Sequence, residues 1–292
     1  MIRGRNSILI ALLSCISITC FGQVSDSAID SALNEPHPIE QFLILDHELN
    51  SKKQGVDFIE AYKEIIQKLE AVRKRKKSDR LFLRSIFYKV HQKSLIKYDK
   101  QATMGQTLLT GNFGCLSGTA LYALILDHFN FAYDIIELPN HVFIQLQVEG
   151  QDMLIESTNP ETGLIKVNQG LMAAMKQKGF DPRKIEALAT VGVGSVEEWN
   201  ILEGHNKITL HELAGLQYFN EAVRLYIQKD YIKSMDMIDA AYAHYPSKRN
   251  EKLMQLVINK ILKYDLIREE LKSKYLEQYI KRIKLQKISK TK

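Results

Sequence analysis

Beyond residue 22 this chain carries a single cysteine, Cys115, so no internal disulfide can brace it and its fold has to come from a buried core. The other two cysteines, Cys15 and Cys20, fall in an N-terminal stretch built like a secretory leader. Met1-Ile2-Arg3-Gly4-Arg5-Asn6 is followed by an apolar run from Ile8 to Leu13 that continues less cleanly to Phe21. Residues 1–22 are expected to be a signal peptide cleaved between Gly22 and Gln23, which makes the chain exported, periplasmic or secreted. The rival pattern is a lipoprotein signal, with Leu12-Leu13-Ser14 before Cys15 or Ser17-Ile18-Thr19 before Cys20. In an oxidising compartment an unpaired thiol is either a small buried hydrophobe or a reactive group.

Loss of the leader removes two arginines and no acid, which lowers the formal net charge from +6 to +4. That is mildly basic and excludes a nucleic-acid footprint. No other apolar run approaches the roughly 18 residues that span a bilayer, so no transmembrane segment is expected after the leader. With 45% hydrophobic residues and six prolines, the rest of the chain reads as folded, with one or two domains.

Residues 23–38 are small and polar and end in Pro36 and Pro38, a flexible lead-in. From Ile39 to Tyr98 the pattern is helical. Phe58, Tyr62, Ile65, Ile66 and Leu69 recur at steps of three and four, one amphipathic stripe. Arg73 to Lys77 is a basic run ending at Ser78-Asp79, which can cap a further helix carrying Leu81, Ile86, Phe87 and Val90. The middle of the chain changes character. A glycine-punctuated turn, Gly111-Asn112-Phe113-Gly114, leads into a helix from the thiol to Phe129, with Asn130 as a left-handed stop. Three strands are expected at Phe131–Glu137, Val142–Val148 and Met153–Glu156, with Glu149-Gly150-Gln151-Asp152 as the turn between the last two. In the second, Val142, Ile144, Leu146 and Val148 form one apolar face, which predicts an antiparallel sheet packed on the Cys115 helix. Residues 159–210 are mixed, with short helices at Leu171–Lys178 and Arg183–Leu188. The glycines of Val191-Gly192-Val193-Gly194 are too few, and have no lysine, for a phosphate loop.

Cys115 at the first turn of a helix is where the partial positive charge favours a thiolate. A thiolate nucleophile needs a base, and the base an orienting acceptor. His141, at the start of the second strand, and Glu156, at the end of the third, become neighbours if those strands pair antiparallel. Backbone N–H groups near Cys115, such as that of Gly114, with the side chain of Gln106, are the expected donors to an oxyanion. His205 and His211 show no paired histidine or cysteine at metal spacing, so no metal site and no cofactor is expected.

The order of these elements, read as GNFGCLSGTALYALILDHFNF, then LPNHVFIQL, then MLIESTNPETG within residues 105–165, resembles the transglutaminase-like superfamily, above all its exported bacterial members with a helical repeat tail. The resemblance implies an α+β fold over residues 39–200, a circularly permuted relative of papain with a helix packed on a small antiparallel sheet. It also implies Cys115 as nucleophile, His141 as general base and acid, and Glu156 as orienting acid. The superfamily's usual third residue is Asp, and Asp152, on the same strand face by alternation, is the alternative.

Residues 205–292 read as helical. Asn220-Glu221-Ala222, Leu225, Asp230-Tyr231, Ser234, Ile238, Ala241 and Pro246 resemble one tetratricopeptide repeat, with Lys229 in place of the usual turn glycine. One repeat does not stand alone, so the unit is expected to pack on the preceding domain and to offer a surface to a protein partner. Two functions follow. One is thiol-dependent acyl transfer or hydrolysis of an amide in a peptide or protein substrate, as a protease, amidase or transglutaminase. The other is a catalytically inactive binding module of the same fold.

Overall fold

The apolar stripe expected at the N-terminal end is the first wall of the core. A computed structural model of the protein describes residues 37–50, 58–138, 141–168, 206–263 and 267–289. The leader with its alternative lipid sites, most of the lead-in, and the expected features between Leu171 and Gly194 lie outside the described residues. From Pro38 onward the chain forms one unit. Helices α1 (Glu40–Asn50), α2 (Phe58–Arg73) and α3 (Asp79–Ser94) come first. On α2 the buried residues are Phe58, Tyr62, Ile66 and Leu69, while Ile65 is half-buried. Ser78 caps α3, its hydroxyl accepting from Leu81 N–H at 3.3 Å. The buried stripe of α3 is Phe82, Leu83, Ile86, Phe87 and Val90. Leu81 belongs to the opposite face and is 50% exposed, a correction to the expected stripe.

A short parallel pair, β1 (Lys97–Tyr98) with β2 (Asn112–Phe113), brackets α4 (Met104–Thr110) and ends two residues before the thiol. Asp46 of α1 accepts from the Gly105 N–H at 2.8 Å, which fixes the start of α4. Then comes α5 (Cys115–His128), buried on every side from Leu116 to Leu126. A helix apolar all round has to be central. Tyr62 and Tyr122 tie it to its neighbours: Tyr62 Oη donates to Leu124 O at 3.0 Å and Tyr122 Oη to Phe87 O at 2.9 Å. Asn130, at φ 57°, stops the chain in the left-handed region as expected.

Strands β3 (Tyr133–Leu138), β4 (His141–Val148), β5 (Gln151–Ile155), β6 (Leu164–Lys166) and β7 (Asn206–Ile208) form an antiparallel sheet in the order β6-β5-β4-β3-β7. Helices and antiparallel sheet together make the α+β class. The β4–β5 turn is the two residues Glu149-Gly150, both at positive φ, and sets Val148 opposite Gln151. Val142, Ile144, Leu146 and Val148 join the main core with α5, as their alternation predicts. The opposite face is also apolar: Ile136, Leu138, Phe143, Leu154 and Val167 form a smaller cluster.

Helices α6 (Leu210–Ile227), α7 (Tyr231–His244), α8 (Lys248–Lys263) and α9 (Glu269–Ser289) complete the described chain. Helix α6 faces two ways. Leu213, Ala214 and Leu216 belong to the core around α5, while Tyr218 and Ala222 pack with α7, α8 and Leu45 of α1. Small residues let α6 and α7 cross closely: the Ser234 hydroxyl donates to Ala222 O at 2.8 Å. Glu137 of β3, 1% exposed, receives the Tyr245 hydroxyl at 2.7 Å and lies 2.7 Å from an Arg249 nitrogen. Among the described residues no helix is long and apolar enough to cross a membrane.

Replacing Tyr122 by Phe should remove the side-chain donor to the Phe87 carbonyl, which keeps its bond within α3. The expected loss is about 0.5–1.5 kcal/mol of unfolding free energy, read from urea denaturation with an unchanged m-value. An unaltered midpoint would show that this tie does not brace α5.

Candidate functional site

Cys115 is the first residue of α5 and a half-exposed free thiol. The turn before it is held by hydroxyls. Ser117 Oγ accepts the Gly114 N–H at 3.1 Å. The Thr107 hydroxyl lies 2.9 Å from Ser117 Oγ and 3.0 Å from each of the Thr103 and Asn112 carbonyls. Gly114 has extended backbone, φ −113° and ψ 177°. A Cβ there would sit 3.0 Å from the carbonyl oxygens of Asp99 and Lys100, so glycine eases the approach of those two segments.

Two further bonds set the helix against the strands. Thr119 Oγ1 donates to Val142 O at 3.2 Å, one residue past His141. Ser157 Oγ donates to the Cys115 carbonyl at 3.3 Å, one residue past Glu156. Gly118 makes room for that contact, since a Cβ would lie 3.0 Å from the Ser157 side chain.

The register that pairs Ile144 with Ile155 carries the start of β4 to the segment just beyond β5. His141 Nε2 hydrogen-bonds Glu156 Oε2, and both side chains are buried. The other carboxylate oxygen accepts from Thr158 N–H at 2.8 Å and Thr158 Oγ1 at 2.6 Å. Glu156 therefore has donors on both oxygens, which a fully buried carboxylate requires. The loop after it is locked on itself. Asn159 Oδ1 accepts from Glu161 and Thr162 N–H groups, and Glu156 N–H donates to Gly163 O at 2.8 Å.

With Nε2 on Glu156, the ring nitrogen left for the thiol is Nδ1, which is buried and makes no hydrogen bond of regular geometry. Burial works to lower the basicity of His141. The Glu156 carboxylate bound at Nε2 and the facing Cys115 sulfur overcome it and raise the imidazole to about 9. The ring is thus held as imidazolium through neutral pH, the form that stabilises a facing thiolate.

The structure brings Cys115, His141 and Glu156 together. Asp152 is not with them: it lies opposite Gln147, beside the β4–β5 turn, and accepts from Gln147 Nε2 at 3.1 Å. The expected oxyanion donors each have a local partner. The Gly114 N–H is bound to Ser117, and the Gln106 side chain closes a capping box, accepting the Thr103 N–H at 3.0 Å. The N–H groups of Cys115 and Leu116 remain, since the first turn of a helix has no carbonyl of its own to bind.

Sequence reasoning missed Thr158, Ser157 and Thr119. The signal was the hydroxyl pair directly after Glu156, which is the composition of a side-chain-stabilised turn. It also missed His91, 5% exposed and packed on Phe87 at 4.6 Å between ring centroids. Burial pushes His91 down to about 4, against the pull of the Glu156 carboxylate and the Leu95 backbone. Compared with protein-family models, with curated proteins and with solved structures, the chain finds no match.

The two histidines predict opposite pH windows. His91 stays neutral when folded, so its share of stability is complete above pH 6.5 and is lost as pH falls towards 4. His141 gains its proton on folding, so its share is complete below pH 6.5 and is lost as pH rises through about 9. Unfolding free energies measured across pH should show a shallower acid limb in His91→Leu and a shallower alkaline limb in His141→Gln. Unchanged limbs would refute these assignments. Gly163→Ala would place a Cβ 2.2 Å from Glu156 O and 2.3 Å from Asn159 O, both backbone atoms. Loss of about 1–3 kcal/mol or more is expected in the same assay.

Proposed function

We propose that the protein is an exported thiol acyltransferase or hydrolase of the transglutaminase-like kind, with a papain-related core, acting on an amide of a peptide or protein substrate. Its catalytic residues are Cys115, His141 and Glu156, and its C-terminal helices are a tetratricopeptide-like surface for a protein partner. The observation that carries the reading is the polarity of the buried imidazole. A satisfied carboxylate takes Nε2, and Nδ1 is left to a thiol at a helix start.

The chemistry balances as follows. The thiol proton resides on His141 Nδ1, and the Cys115 sulfur attacks the substrate carbonyl carbon. The C=O electron pair moves onto oxygen, where the N–H groups opening α5 receive it. Collapse breaks the C–N bond, and the departing amine takes the proton from Nδ1, leaving a thioester. Water, or a second amine, then gives its proton to Nδ1 and bonds to the acyl carbon, and collapse releases the Cys115 sulfur. Glu156 keeps the ring in one orientation and balances its charge throughout.

Iodoacetamide labelling followed by intact mass tests the nucleophile. Alkylation of Cys115 in the folded protein should remain fast at pH 6–7, and His141→Ala should slow it substantially. With p-nitrophenyl acetate as acyl donor, Glu156→Gln should change labelling less than turnover, the latter falling by about 10²–10⁴-fold. Labelling that occurs only on unfolding and ignores His141 would sink the catalytic reading and favour a binding role for the same fold.

A further inference from the structure

Far along the chain from Cys115, three helices bring a second set of nitrogen and oxygen donors together. Residues His211 on α6 and His244 at the end of α7 are 33 positions apart, yet their Nδ1 atoms lie 3.3 Å from each other. The cause is Gly215, one turn along α6 from His211. A Cβ at Gly215 would fall 2.8 Å from Tyr245 Cβ and 3.0 Å from His244 Cβ, so the missing side chain is what lets the end of α7 close on α6. From α1, Gln41 Oε1 reaches to 3.2 Å from His211 Nδ1. Tyr218, on the next turns of α6, stacks on the His244 ring with centroids 5.2 Å apart and planes 17° apart.

Two imidazoles facing through the same ring nitrogen cannot both present a proton there. Because the Gln41 amide oxygen only accepts, His211 Nδ1 carries the proton in the metal-free protein and the His244 Nδ1 lone pair faces it; on metal binding the ion takes that proton's place and His211 is protonated at Nε2. Nitrogens bound to one tetrahedral Zn²⁺ at about 2.0–2.1 Å stand about 3.3–3.4 Å apart, the edge of such a site. We propose that His211, His244 and Gln41 form a site for a borderline divalent transition metal, with Zn²⁺ as the type ion. Both imidazoles bind as Nε2–H tautomers through Nδ1, Gln41 supplies its amide oxygen and water completes the shell. The exposed His211 ring is the one free to turn its lone pair onto the ion, since Tyr218 packs against His244.

Among the described residues no three His, Cys, Asp or Glu gather at metal spacing, so the amide is what raises this pair to three donors. The neighbouring histidine of His211 is 33 positions away and is not visible in sequence spacing. A metal held here would join α1, α6 and α7, and so fasten the C-terminal hairpin to the first helix of the core.

The full chain without a histidine tag, carrying Cys115→Ser so that the thiol takes no metal, is titrated with ZnCl₂ by calorimetry. It is also titrated with CoCl₂ by visible absorption. One equivalent of metal should bind, Zn²⁺ should raise the unfolding midpoint, and bound Co²⁺ should show the absorption of a nitrogen-ligated site. Both signals should be lost in His211→Ala and in His244→Ala, and weakened in Gln41→Ala. The exposed His211 keeps the test valid if His244→Ala fails to fold. Absence of saturation at millimolar metal, or binding that persists in His211→Ala, overturns the proposal.

Discussion

A helix that is apolar on every side has to be surrounded, and α5 is buried from Leu116 to Leu126, with only its two ends reaching outward. That constraint organises the molecule. Helices α2 and α3 close one side through tyrosine hydroxyls bound to backbone carbonyls, the sheet closes another, and α6 takes part in the enclosure. Of those two ends, the one carrying Cys115 is where unsatisfied N–H groups and a partial positive charge accumulate. The same burial that makes the helix central leaves its thiol at the rim.

Placing a carboxylate and an imidazole against that rim is costly in a low-dielectric surrounding unless every oxygen has a donor. Thr158 and His141 supply them, and the Asn159 turn holds Thr158 in place. The hydroxyls of Ser157 and Thr119 then peg sheet and helix to each other on either side of the imidazole. Geometry at the thiol is therefore set by polar contacts from the residues next to Cys115, His141 and Glu156, which join segments far apart in sequence.

Much of this could be read from residue order. The stripe Phe58, Tyr62, Ile66 and Leu69, the Asn130 stop and the alternation along β4 each state one local rule, and tertiary packing agrees with it. The meeting of His141 with Glu156 followed from antiparallel register alone. What could not be read depended on competition for a donor or on a distant neighbour. Gly114 has an N–H near the thiol, but Ser117 takes it, and Gln106 turns back to its own helix cap. Leu81 is as hydrophobic as Leu83, and only the phase of α3 sends it outward. The approach of His244 to His211 hinges on the absence of one methyl group at Gly215, which no periodicity records.

Helix α6 lines both hydrophobic cores, and the Glu137 carboxylate of the central sheet is gripped by Tyr245 and Arg249 beyond it. A wall common to two rooms cannot be removed with one of them. Cutting the chain ahead of α6 strips cover from the main core and leaves Glu137 buried without those partners. Loosening the helical end is therefore felt at the sheet whose first strands carry the imidazole. The thiol site and the C-terminal helices therefore share one packed wall, α6.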